Sequence, residues 1–96
     1  LYIEDNPVNA LVVEQLLASW PDVEVTIAED GTRGLRLAFE RVPDVVLLDM
    51  QLPDMDGIAV LHALRRDERT RALPVIALSA SAMPEDVAAA RAAGAD

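Results

Sequence analysis

Four polar residues follow directly on apolar runs in this chain. Glu4 and Asp5 come after Leu1-Tyr2-Ile3, Asp49 after Val45-Val46-Leu47-Leu48, and Ser79 after Pro74-Val75-Ile76-Ala77-Leu78. Asp49 is the hardest to read as structural, because a helix cap would stand at the start of the next helix, and that helix begins about eight residues later. If Glu4, Asp5 and Asp49 meet, each pair about 4 Å apart repels by about 1 kcal/mol in water and about 4 kcal/mol near a protein surface. A hard divalent cation offsets that repulsion. Magnesium takes one or two carboxylates, keeps several waters and leaves room for a phosphate. This set therefore points to phosphoryl transfer with Asp49 as nucleophile and Ser79 as a hydrogen-bond donor to a phosphoryl oxygen.

The elements that must position these groups are legible as alternating patterns. After the first apolar run, Asp5 or Asn6 can cap a helix that Pro7 suits at its first turn. Val8, Leu11, Val12, Leu16 and Leu17 then recur at helical spacing as far as Trp20. Val23 to Ala28 alternates as a half-exposed strand does, and Asp30-Gly31 turns into a helix from about Thr32 to Arg41. Val45 to Leu48 reads as a strand buried on both faces. A third helix follows from Gly57 or Ile58 to about Arg66, with Ile58, Leu61 and Leu64 on one side. The run from Pro74 to Ser79 is a further strand, and Pro84-Glu85-Asp86 opens an alanine-rich helix closed by Gly94 as its C-terminal cap. The order β-α-β-α-β-α-β-α predicts an α/β fold with a parallel sheet wrapped by helices on both faces. Such sheets bind ligands beyond the carboxyl ends of their strands, which is where Glu4, Asp5, Asp49 and Ser79 stand.

Composition narrows the classes. At 96 residues the chain is one domain, and 52% apolar residues suffice for a core. It has no cysteine, which excludes disulfides and thiolate-ligated metal. No run approaches membrane-span length, and the start does not read as a signal peptide. A net charge of -9 disfavours nucleic acid and anionic membranes as partners. The expected setting is cytoplasmic. All eight basic residues are arginine, so there is no lysine.

The stretches "LYIEDNPVN", "PDVVLLDMQLPDMDG" and "PVIALSASA" together resemble the receiver domains of two-component response regulators, in order and spacing, over the whole chain. The resemblance implies a flavodoxin-like, doubly wound sheet with strand order 2-1-3-4 here, an order known for this family as a worked case of the fold. It implies that Asp49 accepts a phosphoryl group from a histidine kinase or phosphotransfer domain and passes the signal to a downstream effector. It further implies that Glu4, Asp5 and Asp49 hold Mg²⁺ together with the backbone carbonyl of Gln51. Ser79 matches the hydroxyl residue that turns toward the phosphate, Ala80 the small residue that leaves access, and Pro53 and Gly57 the loop after the phosphoacceptor. The "EDNPVN" form resembles receivers attached to hybrid sensor kinases. Such a domain is not an enzyme in the ordinary sense, since the modified residue is its own.

The resemblance also implies a fifth strand and helix beyond Asp96, carrying a lysine that pairs with the phosphate and an aromatic switch residue. Both ends of the chain read as cut from something longer. On that reading an edge strand and an apolar face are exposed, and the piece alone is expected to be marginal or to associate, as a dimer for example. Two other readings remain at this stage. One is a degenerate receiver that binds a partner without phosphotransfer, against which the intact acidic set argues. The other is an aspartyl-phosphate phosphatase, but Gln51 stands where such enzymes carry their acid-base aspartate.

The remaining features read as structural. Asp54-Met55-Asp56-Gly57 is a solvated turn and helix start; it lacks the twelfth-position glutamate of a calcium loop. His62 is an exposed helix residue or a helix-face contact, Trp20 a packing residue, and Met50, Met55 and Met83 flank the acidic edge. Arg65, Arg66, Arg69 and Arg71 form a solvated helix end and loop.

Overall fold

The computed structural model describes residues 1–78 and 84–96; Ser79, Ala80 and Met83 lie outside the described residues. Four strands, β1 (Tyr2–Ile3), β2 (Ile27–Ala28), β3 (Val46–Asp49) and β4 (Val75–Leu78), alternate with four helices. The helices are α1 (Pro7–Leu17), α2 (Gly31–Glu40), α3 (Gly57–Arg66) and α4 (Pro84–Ala93). The sheet order is β2-β1-β3-β4 with every pairing parallel. The register sets Tyr2 beside Ile27 and Leu47, Ile3 beside Ala28 and Leu48, and Asp49 beside Leu78. The chain moves one way from β1 to β2 and the other way from β2 to β4. Right-handed crossovers therefore place α1 on one face and α2 and α3 on the other.

The helix boundaries follow from their caps. Asn6, in extended backbone, accepts from the amides of Val8 and Asn9 at the start of α1, and Pro7 takes the position where no amide is needed. Asp30 accepts from the Arg33 amide and Asp56 from the Ile58 amide, opening α2 and α3. Gly94 at φ 116° follows α4, a left-handed conformation that favours glycine, so the expected cap is present.

The core lies on the α2/α3 side of the sheet. Ile3, Val46, Leu48 and Val75 meet Val60, Leu61 and Leu64 of α3, with Ala38 of α2 and Ala93 of α4 completing the cluster. Gly34 lets α2 approach β1 closely, since a Cβ there would lie 2.5 Å from Ile3 Cδ1. The α1 side is thinly covered. On α1 only Ala10 is buried, while Val8, Leu11, Val12 and Leu16 are each half-exposed or more.

Three sequence expectations change accordingly. The third strand is sealed on one face only: Val46 and Leu48 are buried, Leu47 is half-buried and Val45 is exposed and outside the strand. The same face of β4 is open among the described residues, where Ile76 and Leu78 are exposed as well. The second strand contracts from six residues to Ile27–Ala28, the two residues that pair with Tyr2 and Ile3 of the equally short β1. Trp20, read as a packing residue, is 60% exposed beyond the end of α1. No helix among the described residues is long and apolar enough to cross a membrane.

Candidate metal and phosphoacceptor site

Alternation along β1 sends Ile3 to the core and Glu4 to the α1 side; on β3 it sends Leu48 to the core and Asp49 to the α1 side. Because the strands are parallel and in register, both carboxylates leave the same edge of the sheet. Asp5, one residue after Glu4, joins them. One carboxylate oxygen from each of Glu4, Asp5 and Asp49 lies within 4.8 Å of the others. The three face a 440 Å³ cavity that is also lined by Tyr2, Asn6, Asn9, Gln51 and Leu78.

The three acids differ in environment. Glu4 is buried, and both its oxygens are held. Oε2 accepts from the Tyr2 hydroxyl at 3.2 Å, and Oε1 from the Asn6 amide at 3.2 Å and Asn9 Nδ2 at 3.3 Å. The α1 cap and its first turn thus orient this carboxylate. Burial and the nearby Glu4 charge push the Tyr2 hydroxyl up to about 12, so it stays a donor at neutral pH. Asp5 is exposed. Asp49 is half-buried and accepts from the Gln51 amide at 3.0 Å through Oδ1.

Burial is the largest influence on Asp49 and raises its pKa; the Gln51 amide opposes this, and Glu4 and Asp5 add to the rise. This arrangement favours a cation over a bare carboxylate cluster. The donor set is all oxygen, as a hard divalent ion prefers. The residues therefore fit a divalent metal.

Gln51 lines the same cavity. The loop from Met50 to Asp56 closes on itself through the Gly57 amide to the Met50 carbonyl at 3.2 Å and a bridge between Gln51 and Asp56. Ser79 and Ala80, the two other residues singled out from the sequence, lie outside the described residues.

Two interactions were not read from the sequence, one in the loop after Asp49 and one at the opposite edge of the sheet. Asp54 is exposed but is not merely a turn residue. Its Oδ1 accepts from the Gly31 amide at 2.8 Å, and its Oδ2 from the Thr32 amide at 2.9 Å and Thr32 Oγ1 at 2.7 Å. It caps a helix that begins 23 residues earlier, and no local pattern announces such a partner. Arg65 likewise is not a solvated helix end. It is half-buried and donates to carbonyls of Leu73, Arg71 and Gly94.

Comparison with known proteins agrees with this geometry. The response regulator receiver domain family matches residues 1–96. The chain is 41% identical over 96 residues to the probable transcriptional regulatory protein TcrX of Mycobacterium tuberculosis, covering all of this chain and 40% of that one. It is 37% identical over 86 residues to the polar-differentiation response regulator DivK of Brucella ovis, covering 90% of this chain and 69% of that one. Among solved structures, the Mn²⁺-bound form of response regulator Rcp1 superposes with a TM-score of 0.90 at 25% identity, over 99% of this chain and 74% of that one. The chain thus spans well under half the length of the transcriptional regulator it matches.

Proposed function

The chain belongs to the response regulator receiver domain family, and from that premise we propose that Asp49 is its phosphoacceptor. The observation that carries the reading is the convergence of Glu4, Asp5 and Asp49 within 4.8 Å at one edge of the sheet. The donor is a phosphohistidine on a histidine kinase or phosphotransfer domain. An Asp49 carboxylate oxygen attacks phosphorus, the P–N bond breaks with its electron pair returning to the imidazole, and an acyl phosphate forms.

Glu4, Asp5, Asp49 and the Gln51 carbonyl would hold Mg²⁺, which would supply charge neutralisation for the carboxylates and the incoming phosphoryl oxygens. The Mn²⁺-bound relative and the all-oxygen donor set support this assignment. Tyr2, Asn6 and Asn9 orient Glu4, and the Gln51 amide orients the nucleophile. Burial, Glu4 and Asp5 raise the Asp49 pKa, and a divalent cation held there would favour the ionised carboxylate. Ser79 and Ala80 follow Leu78 in the sequence, and on the family's pattern Ser79 is assigned as donor to a phosphoryl oxygen and Ala80 as the small residue that leaves the approach open.

The doubly charged product then biases two states of the surface that a downstream effector reads. The chain acts as a single receiver domain, in the cytoplasm, and its negative charge argues against nucleic acid as a ligand of this domain.

Intact mass after incubation with acetyl phosphate and Mg²⁺ tests the reading. A phosphoryl adduct is expected on the wild-type chain and none on Asp49→Asn. An adduct retained by the variant at the same level overturns the assignment of Asp49.

A further inference from the structure

The loop that carries Gln51 is closed at its neck by the Gly57 amide to the Met50 carbonyl at 3.2 Å and by the Gln51–Asp56 bridge, and it is tied at three further points. At its base, the Met50 amide donates to the Leu78 carbonyl at 3.0 Å, and the Gln51 amide donates to Asp49 at 3.0 Å. At its exit, Asp56 caps α3 through the Ile58 amide at 2.9 Å. At its tip, Asp54 spans to α2 and accepts three hydrogen bonds from Gly31 and Thr32. The first two ties are local, each between a residue and its near neighbours or the adjoining strand. The third joins the loop tip to a distant element, the start of α2.

The tip contact is specific as well as close. Gly31 leaves no room for a side chain beside Met55, since a Cβ there would lie 2.5 Å from Met55 Cγ. The start of α2 is thus seated against the loop on both sides of Asp54: Met55 packs on Gly31 while the carboxylate takes the Gly31 and Thr32 amides. Asp30 caps the same helix independently, through the Arg33 amide at 2.8 Å. The helix therefore has its own cap without Asp54, and the longer-range carboxylate is free to serve the loop.

From this geometry we infer that Asp54 is a positioning residue for the metal site: by anchoring the loop tip to α2 it fixes the Gln51 main chain, whose amide holds Asp49 and whose carbonyl completes the metal's oxygen donors. The inference rests on the metal reading given above and extends it to a residue outside the cavity. Asp54 is neither in the acidic cluster nor among the residues that line its cavity. Its action runs through the backbone of Leu52 and Pro53 to Gln51.

Direct titration of the full chain with Mn²⁺, followed by the electron paramagnetic resonance of the free ion and with no phosphodonor present, tests this. Groups that orient metal ligands typically account for 10- to 100-fold in affinity when removed. Asp54→Ala is expected to raise the Mn²⁺ dissociation constant about tenfold. Thr32→Ala, which removes one of the three bonds, is expected to raise it less. Asp30→Ala is the control for helix capping alone: it weakens α2 without touching the loop and is expected to leave Mn²⁺ affinity unchanged.

An unchanged dissociation constant in Asp54→Ala overturns the inference, as does an equal loss in Asp30→Ala, which would reduce the effect to helix stability. If Asp54→Ala does not fold, Asp54→Asn decides: its single carbonyl oxygen can serve only part of the set, so a weakened affinity supports the inference and an unchanged one overturns it. Failure of the wild-type chain both to bind Mn²⁺ and to form the acetyl-phosphate adduct overturns the metal reading itself, and this inference with it. Wild-type binding with an unaffected Asp54→Ala overturns this inference alone.

Discussion

The Arg65 guanidinium grips the carbonyl of Gly94 with two donors, Nε at 3.0 Å and Nη2 at 2.6 Å. Its third nitrogen, Nη1, donates to the carbonyls of Leu73 at 2.6 Å and Arg71 at 2.9 Å. One side chain on α3 thereby closes the end of α4 and the connection into β4. The planar fork makes this possible, and the compact ammonium of lysine could not reproduce it.

Arg65→Lys is expected to retain the fold but lose about 1 kcal/mol of stability, and Arg65→Ala about 2 to 3 kcal/mol, from the worth of hydrogen bonds to a charged group. Urea unfolding followed by circular dichroism measures both. Equal midpoints for wild type and Arg65→Ala would contradict a bracing role.

Gly34 is expected to resist enlargement. A Cβ would stand 2.5 Å from Ile3 Cδ1 and 2.7 Å from Cγ1, and Ile3 is fully buried in the core. Overpacking of this kind costs about 1 to 3 kcal/mol, against about 1 kcal/mol gained from helix propensity. Gly34→Ala should therefore lower the thermal midpoint slightly or leave it level. A clear rise would show that α2 has room to move off β1.

The Asp54 carboxyl is held down to about 2 by the Thr32 hydroxyl first, then by the Gly31 and Thr32 amides. Its folded value thus lies below the unfolded value of about 3.9. The sign follows: the cap contributes its full stability above the unfolded value and loses it as pH falls through about 2. Carboxyl carbon shifts across an acid titration should show Asp54 ionised at pH 3. A midpoint near the ordinary aspartate value would contradict the cap in solution.

The open side of the sheet should be sticky. Ile76 and Leu78 on β4 and Val8, Leu11 and Leu16 on α1 are each more than a third exposed. The 96-residue chain in isolation is expected to elute above its 10.4 kDa mass at high micromolar concentration, by size-exclusion chromatography with light scattering. Leu16→Glu and Ile76→Thr together should return it toward monomer. Monomeric elution of the unaltered chain at all concentrations would contradict this.

Much of the domain was legible without coordinates, because its determinants are local. Helical spacing and caps located all four helices to within a residue or so at most ends. The apolar runs before Glu4 and Asp49 marked strands whose alternation, in a parallel sheet, sends both carboxylates off one edge. That is why the acidic site could be read from residue order. Asn6, not Asp5, proved to be the α1 cap, which leaves Asp5 to the site.

What only the tertiary structure decided lies in contacts between distant segments. The sequence shows Asp54 as a turn aspartate; the packing of α2 against the loop supplies its partners 22 and 23 residues away. It shows Arg65 as one of a basic run, and the return of the chain after α4 brings Gly94 to it across 29 residues. Likewise, apolar periodicity marks one face of α1, but whether that face is covered depends on what the topology sets beside it. Residue type and spacing determine which groups can form an element and which way they point. Only the relative placement of those elements decides which polar groups find a partner and which apolar ones remain in water.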